Sequence, residues 1–406
     1  KIIVQVILDK PLKEAFDYIW EEAQAGVKPS IGMIVEAPFG RTSVVGIVIG
    51  VSAHSNIEPS KLKSVKDLAP LPCLDKKILE LGQFASHYYV YGLGETMIPA
   101  IPKWWRSPKN WQKGLRASPA KRTNTQTALQ SHDQAIRPEQ LNSAQADALS
   151  QLCAHNRKEF QTIFLNGVTG SGKTAVYLNY LKQILSNDHD AQVLVLLPEI
   201  NLTPQLERRI ASHMPNQEMA VLHSGLSDKQ RAISWHAIIS RKAKVILGTR
   251  LSILTPIPNL AAIVVDEEHD SSFKQQEGLG YSARDLAIWR AKNENIPVLL
   301  SSATPSLETW HAIERGRYQE IKLSERIHQA QMPIIELIQT QQADRGTVIS
   351  GILKRTLQNN FQEGRQALIF VNRRGFAPAL SCGSCAWLSE CPDCSGFMVM
   401  HKQLGS

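Results

Sequence analysis

Lys173 and Thr174 close the string GVTGSGKT at residues 167–174, and Asp266 and Glu267 stand inside IVVDEEHD at 263–270. A glycine-rich turn ending in lysine and a hydroxyl is the chemistry of a phosphate cradle. Backbone N–H groups wrap the phosphate oxygens, the ammonium reaches the β/γ-phosphates and the hydroxyl holds magnesium. The cradle residues are Gly167, Val168, Thr169, Gly170, Ser171, Gly172, Lys173 and Thr174. Two adjacent carboxylates at the end of an apolar run do the complementary work. Asp266 is placed to coordinate magnesium, directly or through water, and Glu267 to orient and deprotonate an attacking water. Together they imply hydrolysis of ATP or GTP.

The elements that must position these groups are legible around them. TIFLN (162–166) reads as a buried strand, and AVYLNYLKQIL (175–185) carries apolar residues at helical spacing. The cradle therefore lies between a strand and a helix N-terminus, where the dipole and unpaired N–H groups favour an anion. VLVLLP (193–198), KVILGT (244–249), AAIVVD (261–266) and VLLSSAT (298–304) read as further buried strands with helical stretches between them. That alternation predicts an α/β fold, a parallel sheet with helices on both faces.

Residues 1–102 have a different character. KIIVQVIL, GMIVEAPF and SVVGIVIGV are short β-branched runs broken by Gly, Pro and Ser, which predicts a small barrel or sandwich, followed by a helix within 74–91. Residues 103–140 read as a basic linker. In it Trp104, Trp105 and Trp111 have two readings, stacking on bases or packing on a neighbouring domain. The predicted organisation is 1–102, 103–140, a motor lobe at 141–332, a further unit at 333–380 with a buried strand in 364–380, and a cysteine region at 381–406.

Composition sets the outer limits. A net charge of +8 is compatible with a nucleic-acid partner, although 37 acidic residues dilute that argument. No apolar run is long enough to span a bilayer, and no signal peptide is apparent, although the chain begins at Lys1 without a Met; a cytoplasmic protein is expected. Cys382, Cys385, Cys391 and Cys394 form two C-x-x-C knuckles, the spacing of zinc ligation. Cys73 and Cys153 read as core thiols.

Taken in order, GVTGSGKT, LPEINLTPQ (197–205), LHSGLSD (222–228), GTR (248–250), DEEHDSSFKQQEG (266–278), SSATPSLET (301–309) and FVNRRGFAPAL (370–380) resemble superfamily 2 helicase motifs. More narrowly, the chain resembles the bacterial replication-restart helicases over most of its length. The resemblance implies a RecA-like P-loop lobe, the start of a second lobe, and a 3′→5′ DNA helicase using ATP, magnesium and zinc. It implies recognition of stalled forks and D-loops. The partners it implies are branched DNA with a nascent 3′ end, single-stranded DNA-binding protein, primosome assembly proteins and a replicative helicase loader.

It also nominates residues. Gln145 stands where related helicases contact adenine. The segment DSSFKQQEGLGYSARD resembles a loop coupling DNA contact to hydrolysis, with Phe273 and Tyr281 as stacking faces and Lys274 and Arg284 as charges. In the N-terminal unit, Phe16 is nominated to stack on a terminal base, Asp17 to accept from a 3′-hydroxyl, Gly40 for close backbone approach and Lys63 for phosphate. Without the resemblance, Phe16 and Tyr18 fit core positions.

The chain departs from the family pattern in three places. The interval 103–140 is too short for a winged-helix domain, the later cysteine pairs do not occur, and no arginine-bearing second-lobe motif is reached by Ser406. Such an arginine contributes ~10³–10⁵ in rate. The expectation is a chain that binds nucleotide but hydrolyses it poorly, with a DNA-binding and assembly platform as the alternative.

Overall fold

The computed structural model describes residues 2–12, 14–21, 27–111, 141–154, 159–198, 204–326, 334–338, 349–370, 382, 385, 387–392 and 398. They divide into two units, Lys1–Ala330 and Gln331–Ser406.

The β-branched runs at the start form β1 (Ile2–Leu8), β2 (Phe16–Trp20), β3 (Ile34–Phe39), β4 (Thr42–Ser52) and β5 (Asp67–Leu68), an antiparallel sheet in the order β2-β1-β4-β3-β5. The segment around β5 also reaches β2. Val65 N–H donates to the Ile19 carbonyl, Ile19 N–H to that of Lys63, and Lys66 N–H to that of Glu36 on β3. The sheet therefore curls back on itself, as the barrel expectation requires. Strand alternation sends Val4, Val6 and Leu8 inward with Tyr18, Trp20, Val35 and Val48. Ile7, Ile34, Val45 and Ile47 join a second core with Ile78, Leu81 and Met97. Those residues come from α1 (Lys76–Tyr88) and α2 (Leu93–Met97).

The short α3 (Pro108–Trp111) decides between the two readings of the tryptophans. Trp105 and Trp111 are buried. Trp105 Nε1 donates to the Ala232 carbonyl at 3.4 Å and Trp111 Nε1 to that of Trp105 at 2.9 Å. Trp105 thus packs on the motor lobe, and Trp111 packs on Trp105. Residues 112–140 lie outside the described residues.

The motor lobe alternates strand and helix: α4 (Ser143–Ala154), β6 (Gln161–Gly167), α5 (Lys173–Asn187), β7 (Gln192–Leu196), α6 (Pro204–His213), β8 (Met219–Leu222), α7 (Asp228–Ile239), β9 (Val245–Gly248), β10 (Leu260–Asp266), α8 (Ala283–Glu294), β11 (Pro297–Ser302), α9 (Leu307–Glu314) and β12 (Gln319–Leu323). The seven strands are parallel in the order β12-β6-β11-β10-β7-β9-β8. Both faces of β10 are buried, Ala262 and Val264 against the α4–α5 side, Ile263 and Val265 against the α8 side. A parallel sheet covered by helices demands such runs. The sequence carried no clear mark of β12, whose QEIKL lacks a continuous apolar run.

In the second unit α10 (Gly351–Gln362) is capped by the Ser350 side chain. The strand expected in 364–380 is corrected for its described part. Residues 365–370 take no regular structure, and Leu368 and Phe370 are exposed. No strand pairs with them among the described residues. Among the described residues no helix is long and apolar enough to cross a membrane.

Gly94 at the start of α2 permits the close approach of that helix to β1: a Cβ there would stand 1.7 Å from the Leu8 carbonyl oxygen. Gly94→Ala is expected to destabilise the protein by about 1–3 kcal/mol through overpacking, read as a lower urea midpoint with unchanged m-value.

Candidate nucleotide and DNA-end sites

The phosphate loop leaves β6 at Gly167 and enters α5 at Lys173. Gly170 and Gly172 adopt φ 81° and 82°, a left-handed conformation that side chains disfavour. Gly167 is required for space, because a Cβ would meet Ser171 Oγ at 2.5 Å. No side chain caps the N-terminus of α5, so its first N–H groups and its dipole face the loop. Lys173 Nζ donates to the Gly167 carbonyl at 2.8 Å, and the buried Ser171 hydroxyl has no partner. An uncapped helix start, an orphaned hydroxyl and a single buried cation fit a polyphosphate. Gln145 is placed differently from a base reader. Its amide donates to the Ser171 carbonyl at 2.9 Å and accepts from Asn142 N–H at 3.0 Å, so it braces the loop.

Asp266 ends β10, two strands away from β6 across β11. The parallel register pairs Asp266 with Ser301, and Ser301 with Leu165. Asp266 is 9 % exposed and has both oxygens engaged. Oδ1 accepts from Glu267 N–H at 3.1 Å and Oδ2 from the Tyr177 hydroxyl at 3.0 Å. Burial pushes the Asp266 carboxyl above its ordinary range, opposed by the Tyr177 hydrogen bond and the Lys173 charge. Tyr177 lies four residues after Lys173 on α5, one helical turn on and the same face. That spacing was in the sequence, but only the sheet register shows that the phenol meets the acid.

Glu267 is half-buried and holds φ 49°, a left-handed backbone in a residue other than glycine. Burial raises its carboxyl as well, and the neighbouring Asp266 charge adds to that. His269 Nδ1 lies 3.6 Å from Glu267 and 2.8 Å from Ser302 Oγ. Glu268, which the sequence reading passed over, is 2 % exposed and ties three segments together. It accepts from Ser306 N–H at 2.8 Å, from the Ser306 and Thr309 hydroxyls at 3.0 Å each, and from Arg284 at 3.2 Å.

The loop after the acids corrects several expectations. Phe273 and Tyr281 are 2 % and 3 % exposed, so neither ring offers a stacking face in this arrangement. Both are apolar bodies drawn into the core between α8 and the strand ends. Arg284 is bound by Glu268, Asp285 and Glu308, and its charge is matched within the protein. The Lys274 ammonium donates to the Gly280 carbonyl and stands 5.4 Å over the Tyr89 ring.

In the N-terminal barrel Phe16 meets Phe39 edge-on at 5.5 Å, beside Gly40 at φ 59°. Nothing lies within 4 Å of a Cβ built on Gly40, and Lys63 Nζ donates to its carbonyl at 3.3 Å. Phe16, Gly40 and Lys63 thus share one rim, which the closure around β5 creates. Asp17 follows Phe16 on a strand, so it faces the other side, where the Ser55 hydroxyl donates to it.

Of the cysteines nominated for zinc, Cys394 lies outside the described residues. Among the described residues no three His, Cys, Asp or Glu side chains converge on a metal position.

Residues 5–102 match the 3'DNA-binding domain (3'BD) family and residues 142–313 the DEAD/DEAH box helicase family. The replication restart protein PriA of Haemophilus influenzae is 35 % identical over 465 aligned residues, covering 98 % of this chain and 62 % of the relative. That of Rickettsia felis is 33 % identical over 403, covering 98 % and 58 %. The DUF1998 helicase MrfA superposes with a TM-score of 0.41 at 16 % identity, over 58 % of this chain and 36 % of that one. Fold and site define a DEAD/DEAH-type P-loop lobe behind a small DNA-binding domain. The chain belongs to the replication restart protein PriA family, and spans about three fifths of the length of these relatives.

A carboxyl raised by folding holds its proton to higher pH than it does unfolded, so stability falls as pH climbs from the ordinary aspartate range through the raised one. Asp266→Asn removes that cost. The nucleotide-free variant is expected to melt higher than the parent at pH 7, with the gap closing as pH is lowered towards 4. Thermal scans across that range check it.

Proposed function

We propose that this chain forms the nucleotide-hydrolysing and DNA-end-recognising part of an ATP-driven 3′→5′ DNA helicase acting on stalled forks and D-loops. The observation that carries this reading is the arrival of the phosphate loop and Asp266–Glu267 at one edge of a parallel sheet, in a lobe fused to a 3′-DNA-binding domain. The backbone of 167–174 and Lys173 would hold the β/γ-phosphates, with Thr174 and Asp266 the residues for magnesium. A bound magnesium ion supplies charge neutralisation across the phosphate oxygens. Tyr177 fixes the rotamer of Asp266, and Gln145 fixes the height of the loop. Glu267 accepts the proton of the attacking water, and burial holds its basicity above that of an ordinary glutamate.

At the barrel rim Phe16 would stack on a terminal base, Gly40 admit the backbone and Lys63 meet a phosphate. Asp17, turned to the opposite face, serves as hydroxyl acceptor only after a change of position. Supporting partners in this reading are single-stranded DNA-binding protein, primosome assembly proteins and a replicative helicase loader in the bacterial cytoplasm. A second reading, an assembly platform with little motor activity, is favoured by the inward commitment of Phe273, Tyr281 and Arg284.

In the full-length protein Lys173→Ala is expected to remove ATP turnover while leaving affinity for forked DNA within about twofold, since uniform binding and hydrolysis are separable. Turnover preserved in that variant would end the motor assignment. For the rim, Lys63→Ala is expected to weaken binding of 3′-ended oligonucleotides by about 1 kcal/mol, measured by fluorescence anisotropy; unchanged affinity at low salt removes it from the site.

A further inference from the structure

The loop 270–282 that follows the acids is closed at its neck. Lys274 and Ser282 form an antiparallel bridge, Gln275 N–H donates to the Tyr281 carbonyl at 2.8 Å, and the Lys274 ammonium donates to the Gly280 carbonyl. That neck rests on one residue of the N-terminal unit. Ser282 N–H donates to the Tyr89 hydroxyl at 3.1 Å, and the Lys274 ammonium lies over the same ring. Ser282 caps α8, and two residues later Arg284 binds Glu268. On the upstream side, Asp270 N–H donates to the Glu267 carbonyl at 2.9 Å. Both limbs of the neck therefore run within a few residues of the acids.

Tyr89 is itself firmly placed. It ends α1, whose Phe84 stacks on Trp289 of α8 at 4.4 Å and 13°. Glu80 accepts from Asn293, and Lys77 pairs with Glu294. The next residue, Val90, holds φ 53°, a costly left-handed backbone for a β-branched side chain. The reversal it produces sets Tyr91 against the loop tip, its hydroxyl 3.5 Å from a Cβ built on Gly278. Beneath the tip is a cavity of about 400 Å³ lined by Tyr91, Pro99, Trp235, Arg250, Leu279 and Tyr281. The tip has room to move, whereas the neck is held.

We infer that Tyr89 is a positioning residue through which the state of the DNA-binding barrel reaches the hydrolytic acids, by way of the neck Lys274–Ser282. This rests on the motor reading above for its consequence in turnover, but the clamp itself is a matter of geometry. A hydroxyl that accepts from a helix-capping N–H and a ring that carries an ammonium hold both limbs at once. Any shift of α1 on DNA binding is then imposed on Ser282 and Lys274 together.

Tyr89→Phe in the full-length protein keeps the ring and removes the hydroxyl. Basal ATP turnover, the KM for ATP and affinity for a 3′-hydroxyl oligonucleotide are expected to stay as in the parent. DNA-stimulated kcat is expected to fall about fivefold, the equivalent of one hydrogen bond. Hydrogen exchange over 270–285, responsive to that oligonucleotide in the parent, is expected to lose its response. A variant that retains the exchange response overturns the inference. Absence of ATP turnover in the parent sinks the motor reading instead, and the exchange comparison still decides the clamp.

Discussion

The parallel register of β6, β11 and β10 is the constraint on which the rest of the site depends. Pairing Leu165 with Ser301 and Ser301 with Asp266 sets the start of the phosphate loop and the first acid at one height along the sheet. A shift of one residue would turn Asp266 to the other face and bring Val265 to the edge. The register is fixed by burial: Val264 and Val265 belong to different cores, and neither can leave its layer without exposing apolar surface.

Two buried carboxylates and one buried lysine occupy a small volume, and each carboxylate needs a reason to be tolerated there. The Tyr177 hydroxyl, the Glu267 N–H and the Lys173 charge supply it for Asp266. For Glu268 the reason is a set of four donors from Ser306, Thr309 and Arg284. Removing a single partner from such a group leaves an uncompensated charge, so the cluster behaves as a unit rather than a sum of pairs. The consequence is a stiff connection between the strand ends of β10 and β11 and the start of α8.

That stiffness extends into the N-terminal unit. Stacking of Phe84 on Trp289, the Lys77–Glu294 pair and the Tyr89 contacts fasten α1 to α8 and to the loop neck. Trp105 and Trp111, buried and hydrogen-bonded, add a second attachment at the end of the barrel domain. The two domains meet through aromatic rings and hydrogen bonds, a junction suited to passing small displacements because packed side chains do not deform continuously.

Local chemistry in the chain determined a good deal. Glycine spacing around Lys173, the helical period of α5, the apolar runs of β6, β7, β9, β10 and β11, and the carboxylates at the end of β10 are properties of neighbouring residues, and periodicity records them directly. The tertiary structure alone decided which side chains meet. Phe273 and Tyr281 carry the same aromatic signature whether they face solvent or core, and packing against α8 put them inside. Tyr177 reaches Asp266, Glu268 reaches Ser306 and Tyr89 reaches Ser282 across long stretches of chain, contacts set by sheet order and domain docking that no local pattern encodes.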